Sequence, residues 1–334
     1  MPTPSPPATP APIAPGPTLR EAGAVSNRWV GAAVISGSLR NEPVYSDTLR
    51  REFDYVTAEY EMKWDPIHPA PAAWNYSGAD AIVDFAERNG MRVKAHALIW
   101  HEALPAWVKE LSPPELRLAV EDHIRTVAGR YRGRVAAWDV VNEAIAENGS
   151  GLRDTVFRQK LGDGYIADAF RMARAADPQA LLFYNDYNAE GRGRKSDAVY
   201  DLVSGLVHQG VPINGVGLQM HVSASNPPAA ADVAANMRRL ADLGLLVNIS
   251  EMDVRIRELP GTLDARLQVQ RTVYRDLVRV CRAERRCHAV TFWGFTDAHS
   301  WIDSFFGPDD PLLFDEAYRP KPAYEGVRDA LLGR

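Results

Sequence analysis

Glu143 and Glu251 each close a short apolar run, VAAWDVVNE and LGLLVNISE. Two carboxyl groups that approach one bond from different elements suit hydrolysis of a glycosidic link. In that chemistry one carboxyl stays protonated to donate to the leaving oxygen, and the other stays ionised to attack. His221 could keep Glu251 ionised through a hydrogen bond, with Asp253 available to hold the imidazole. Asn142, directly before Glu143, is placed to bond a sugar hydroxyl beside the scissile bond, a contact that strengthens in the transition state. Trp100, Trp293 and Trp301 offer flat apolar faces for a pyranose ring and an indole N–H for a hydroxyl. The HSW run at 299–301 reads as a loop over such a site, whereas Trp64, Trp107 and Trp138 read as core.

The elements that must position these groups alternate in kind. Short runs rich in β-branched residues at 30–35, 55–59, 92–98, 136–142, 180–185, 215–220, 246–251 and 289–295 read as strands. Amphipathic stretches at 79–89, 114–131, 164–175, 196–208, 232–243 and 265–282 read as helices, several of them stopping at Gly or Asn. Strand–helix alternation of this length gives an α/β chain, a single (β/α)8 TIM barrel, in preference to an open doubly wound sheet. Glu59, His96, Trp100, Asn142, Glu143, Asp186, Gln219, His221, Glu251, Asp253, Trp293 and Trp301 all fall at or just past the C-terminal end of an expected strand. Any one of them alone would ordinarily be a satisfied polar group. Together they converge on the barrel face where active sites lie. By this count Glu143 follows the fourth strand and Glu251 the seventh. The spacing of about 5–5.5 Å that retaining glycosidases use is then attainable across the mouth.

Composition bounds the remainder. The chain has 334 residues, 46% hydrophobic and 24% charged, enough for one large core. A formal net charge of −5 argues against nucleic acid or an anionic membrane as partner, and no apolar run is long enough for a membrane span. No glycine-rich phosphate loop follows a strand; GRGRK at 191–195 lacks the spacing. The opening MPTPSPPATPAPIAPGPT is uncharged and proline-rich and cannot build a core, so residues 1–20 are expected to be an extended linker and 21–334 the barrel domain. That opening lacks the basic start and apolar middle of a signal peptide. Cys281 and Cys287 are the only cysteines, and their spacing is compatible with a small disulfide loop or with two free thiols.

These blocks resemble glycoside hydrolase family 10, the endo-β-1,4-xylanases, from about residue 30 to 328. The resemblance is carried by EMKW at 61–64, VKAHALIWH at 93–101, WDVVNEAI at 138–145, YNDYN at 184–188, GVGLQMHVS at 215–223, ISEMDVR at 249–255, TFWGFTDAHSWI at 291–302 and PLLFDEAYRPKPAY at 311–324. It implies a barrel enzyme that cuts xylan or xylo-oligosaccharides with retention of configuration and without cofactor or metal. Glu143 would be the acid/base and Glu251 the nucleophile. His96, Trp100, Asn142, Gln219, His221, Trp293 and Trp301 would bind the reacting sugar or support the nucleophile. Glu59 and Lys63 would hold the next sugar on the non-reducing side, with Tyr187 and Asn188 facing the leaving group. The resemblance also favours a disulfide between Cys281 and Cys287; with the proline-rich opening this suits a secreted, periplasmic or cell-surface location, and a monomer is expected. One position departs from the pattern. The usual E-N-x-M-K-W reads here Glu59-Tyr60-Glu61-Met62-Lys63-Trp64, so Tyr60 replaces the asparagine that should bond the second sugar.

Tyr60 motivates one alternative, a same-family glycosidase of altered specificity. A catalytically dead carbohydrate-binding barrel conflicts with the presence of both glutamates, His221 and Asp253. A metal-dependent hydrolase lacks any HxH or HExxH spacing.

Overall fold

The structure is a computed structural model that describes residues 16–334. Its strands are β1 (Trp29–Val34), β2 (Tyr55–Ala58), β3 (Arg92–Ile99), β4 (Ala137–Asn142), β5 (Leu181–Asp186), β6 (Gly215–Leu218), β7 (His221–Ser223), β8 (Leu246–Arg255) and β9 (Ala289–Phe292). All pairings between them are parallel. β1 pairs with both β2 and β9, and β6 with both β5 and β8, which closes an eight-stranded barrel; β7 pairs only with the outer end of β8, above the rim. The strands are buried on both faces, as a parallel sheet sheathed by helices must be.

The helices lie outside because each carries one apolar stripe. In Ser77–Arg88 the buried residues are Ala79, Ile82, Val83 and Ala86. In Pro113–Arg130 they include Leu116, Val120, Ile124 and Val127. This is the i, i+3, i+4 spacing of one helical face, and each large side chain so buried contributes about 1.5–3 kcal/mol.

Several boundaries differ from the sequence reading. The run at 215–220 does not continue as one strand, because Met220 takes a left-handed φ of 69° and its N–H turns to Glu190 Oε1 at 3.0 Å. The chain then resumes as β7. β8 runs past Glu251 to Arg255, because β7 supplies it with a partner beyond the rim. Helices Leu19–Ser26, Pro43–Glu52 and Pro322–Leu332 were not legible from periodicity.

The first of these helices starts at Leu19, inside the last two residues of the expected linker. Thr18 caps it, accepting from Glu21 N at 3.2 Å while its own N–H donates to Glu21 Oε2 at 2.8 Å. Leu19 and Ala22 are fully buried, so this helix packs into the fold. Residues 1–15 of the expected linker lie outside the described residues. Cys281 and Cys287 are joined in a disulfide across a Cα–Cα distance of 5.2 Å.

Candidate active site

Two carboxamides link the carboxyl groups of Glu143 and Glu251. Asn142 and Asn185 lie opposite each other in the β4–β5 register. Asn142 Nδ2 donates to Glu143 Oε1 at 3.1 Å. Asn185 Nδ2 donates both to Asn142 Oδ1 at 2.9 Å and to Glu251 Oε1 at 2.6 Å. The room for Asn185 comes from Gly217 on the neighbouring strand, where a Cβ would stand 2.1 Å from Asn185 Oδ1 and 3.0 Å from Ser250 Oγ. Any side chain at 217 would displace the group that holds Glu251.

Glu251 is 3% exposed, and its second oxygen faces His221. That imidazole donates from Nε2 to Glu251 Oε2 at 3.2 Å and from Nδ1 to Asp253 Oδ2 at 2.7 Å. Burial alone drives the Glu251 carboxyl up, yet the His221 hydrogen bond, with neighbouring His96, His221 and Lys94, holds it at about 2. Burial likewise pulls His221 down, and the Asp253 and Glu251 carboxylates reverse this and raise it to about 10. At neutral pH the relay is therefore carboxylate, imidazolium, carboxylate.

Glu143 sits just past β4 at a left-handed φ of 56°, which turns its side chain into the mouth. Trp100 Nε1 donates to its Oε2 at 2.9 Å and Gln219 Nε2 to its Oε1 at 2.9 Å. Trp301 Nε1 donates to Asp253 Oδ2 at 2.8 Å, and its ring meets His221 edge-on at 5.0 Å. The Lys63 ammonium lies 4.6 Å from the Trp100 ring centre and 5.7 Å from that of Trp293, so an indole wall and a cation share one side of the cleft. Burial lifts the nearby Glu59 carboxyl to about 7, opposed by Lys63 and reinforced by Glu61 and Glu251.

A second charged group lies under this floor. His96 Nδ1 donates to Asp139 Oδ2 at 2.9 Å, and Lys94 Nζ stands 2.7 Å from the same oxygen. Among the described residues, His96, Asp139 and Glu251 alone are close enough to offer three ligand atoms to a metal ion. The Lys94 ammonium already supplies the positive charge there, and Asn185 and His221 occupy the Glu251 oxygens. The donor set is therefore spoken for by side chains.

The sequence profile of glycosyl hydrolase family 10 matches residues 18–330. The chain belongs to glycosyl hydrolase family 10. Endo-1,4-beta-xylanase B of Thermotoga neapolitana is 41% identical over 297 residues, which cover 88% of this chain and 85% of that protein. The endo-1,4-beta-xylanase of Agaricus bisporus is 39% identical and covers 90% of each. Among solved structures, xylanase 10B from Thermotoga petrophila RKU-1, in complex with xylobiose, superposes with a TM-score of 0.91 at 40% identity. The match covers 96% of this chain and 98% of that one.

Within this family-10 barrel, Glu143, Glu251, His221, Asp253, His96, Asn142, Gln219, Trp100, Trp293 and Trp301 form one connected cluster. Glu59 and Lys63 border it. Tyr187 and Asn188 stand on the β5 side, outside the direct hydrogen bonds to either glutamate. Arg153 donates to the Tyr187 hydroxyl at 3.1 Å and to the Glu143 carbonyl at 3.0 Å. Asn188 donates to Glu147 at 2.8 Å.

The residues missed from the sequence are Lys94, Asp139, Asn185, Arg153, Glu147 and Lys195. Lys195 Nζ bridges Asp186 at 3.1 Å and Glu147 at 3.2 Å and lies 3.4 Å from the Tyr187 ring centre. Lys94 and Asp139 carried a signal. Each is a charge in the middle of a strand rich in apolar residues, and buried charges are paired.

Tyr60 does not enter the barrel wall. It is 47% exposed, its hydroxyl bonds Asp65 Oδ2 at 3.1 Å, and the Lys63 ammonium lies 5.7 Å from its ring centre. The ring thus stands at the rim beside the cation that borders the cleft. An asparagine amide offers a donor and an acceptor to neighbouring hydroxyls, whereas this phenol is tethered to Asp65. The Tyr60→Asn enzyme is expected to raise kcat/KM on xylotriose about fivefold, the worth of one neutral hydrogen bond. An unchanged value, with high activity in the parent enzyme, would show that Tyr60 does not set specificity.

Proposed function

We propose that this chain is a retaining endo-β-1,4-xylanase in which Glu251 is the nucleophile and Glu143 the acid/base. The observation that carries the reading is the unequal treatment of the two carboxyls. Glu251 is buried and held ionised at about 2 by the His221–Asp253 relay. Glu143 faces it across two carboxamides and is fixed by Trp100 and Gln219. The names of the Thermotoga neapolitana and Agaricus bisporus relatives, both endo-1,4-beta-xylanases, and the xylobiose complex of the Thermotoga petrophila enzyme support xylan as the substrate.

In the first step a Glu251 oxygen attacks the anomeric carbon while the bond to the leaving oxygen breaks. That oxygen takes its proton from the Glu143 carboxyl. The product is a glycosyl ester on Glu251. In the second step Glu143, now a carboxylate, removes a proton from water. The water oxygen bonds the anomeric carbon, and the Glu251 carboxylate leaves. Asn142 bonds the hydroxyl next to the reacting carbon, and Gln219 and Trp100 keep Glu143 aimed at the leaving oxygen. His96 and Lys63 bind hydroxyls on the non-reducing side, together with Glu59. Tyr187 and Asn188 face the departing sugar.

The test is digestion of xylan and of cello-oligosaccharides, with proton NMR of the earliest products. Xylo-oligosaccharides appearing first as the β-anomer are expected, with little release from the cello-oligosaccharides. Initial α-anomer would sink the two-step mechanism, and preference for the cello-oligosaccharides would sink the substrate assignment.

We further propose that the protein works in an oxidising compartment outside the cytosol. The Cys281–Cys287 disulfide supports this, since such bonds persist mainly there. Among the described residues no helix is long and apolar enough to cross a membrane. Mass spectrometry of non-reduced protein isolated from its source is expected to show the cross-linked peptide; two alkylatable thiols would count against the assignment.

A further inference from the structure

A strand alternates its side chains with period two, so Glu251, Asp253 and Arg255 share one face of β8. The first two belong to the catalytic relay. Arg255, where β8 ends above the rim, takes no part in it. Its Nε is buried without a hydrogen-bond partner, and its guanidinium carbon lies 4.1 Å from the centre of the Phe306 ring. The nearby carboxylates are occupied elsewhere. Glu258 accepts from the hydroxyls of Ser223 and Ser225, each at 3.0 Å. Asp309 accepts from the backbone N–H of Ile256 at 3.1 Å and of Arg257 at 3.2 Å. Among the described residues no carboxylate lies within ion-pair distance of Arg255, although its charge reaches Glu258, and a half-buried guanidinium seated over a ring has donors left for an incoming anion.

The same patch exposes aromatic surface. Phe305 is 76% and Phe306 42% exposed on the short helix Ile302–Phe306. Both adjoin Trp301, at 5.2 and 5.8 Å between ring centres. Trp301 in turn bonds Asp253 and meets His221. An unbroken aromatic wall therefore runs from the catalytic relay out to two phenyl rings that the fold leaves in water. Exposed rings continuous with a binding site mark an extension of that site.

We propose that Trp301, Phe305, Phe306 and Arg255 form an accessory subsite that takes a uronic acid carried by the xylan chain. The pyranose face lies on the phenyl rings and the carboxylate pairs with the Arg255 fork. The inference rests on the reading of the adjoining centre as a xylan-cleaving one. It adds a charge preference to that reading, one that the catalytic residues themselves do not create.

The experiment compares kcat/KM on xylotetraose with kcat/KM on xylotetraose bearing one glucuronic acid, for the parent enzyme, Arg255→Gln and Phe305→Ser. The ratio of substituted to plain substrate is expected to fall about tenfold in Arg255→Gln, the loss of a charge-assisted hydrogen bond. It is also expected to fall in Phe305→Ser, whose exposed position leaves folding untouched, and to narrow in high salt for the parent enzyme. A ratio unchanged in both variants overturns the subsite while the xylanase reading stands. Absence of cleavage of either substrate by the parent enzyme overturns the xylanase reading and the subsite with it.

Discussion

The Glu251→Ala enzyme is expected to release no sugar from any substrate, a loss of at least about 10⁵-fold in kcat. With no carboxylate there, the glycosyl ester cannot form, and no neighbour can substitute. Glu59 is lifted to about 7 by burial, where an attacking carboxylate is not held ionised, and Asp253 is committed to His221 and Trp301. A good leaving group does not rescue this variant, because the missing bond is to the sugar. Appreciable turnover on an activated aryl xylobioside would remove Glu251 from the nucleophile role.

A companion measurement reports on what keeps Glu251 ionised. His221→Ala removes the largest of the interactions that together outweigh burial at Glu251, so the acid limb of the kcat/KM profile is expected to rise from near 2 into or above the ordinary carboxylate range. An acid limb unmoved by the substitution would show that the relay does not hold the charge. The same shifts fix the sign of the stability change. The depressed Glu251 carboxyl contributes stability that is present above its unfolded value of about 4.3 and is lost as pH falls through about 2. The raised His221 contributes stability that is fully present below about 6.5 and is lost as pH rises through about 10.

Glu143→Ala is expected to separate substrates by their leaving groups. On xylan, whose leaving sugar needs a proton, kcat should fall by about 10³–10⁴. On a dinitrophenyl xylobioside the first step needs no proton, so kcat/KM should stay within about tenfold of the parent enzyme. The glycosyl ester then persists, since no carboxylate activates water. Azide, which needs no base, should accelerate its breakdown and yield a β-xylobiosyl azide. Equal losses on both substrates without azide rescue would assign the acid/base to another residue. Asn142, Gln219 and Trp100, which bond Glu143 in the parent enzyme, remain in place in this variant, so the sugar site is retained.

The helices hidden from the sequence share a cause. Pro43 and Pro322 each read locally as breakers, yet each occupies the first helical position, where the missing N–H is no loss and the fixed φ helps. Leu19–Ser26 follows a proline-rich tract, and its footing is long-range. The Leu19 N–H bonds Glu52 Oε2 at 3.2 Å, and the helix packs on Pro322–Leu332 at the far end of the chain. Local periodicity contains neither fact. Met220 is a similar case, since an apolar run gives no hint that one residue will turn left-handed and divide it.

What the sequence by itself determined is the set of groups whose position follows from strand period and strand order. Glu143, Glu251, His221, Asp253, Gln219 and the three indoles stand at the ends of apolar runs, and a closed parallel barrel brings those ends together whatever the helices do. Tertiary structure alone decided which partners those groups acquire. Asn185 reaches Glu251 only because Gly217, on the next strand, leaves the space. Lys94 and Asp139 neutralise each other across β3 and β4. Arg255 meets Phe306 across 51 residues of chain because β8 overruns the rim where the final loop folds back. Each of these depends on the distance between two strands or loops rather than on the spacing along one. A sequence fixes the second directly and the first only through the packed fold.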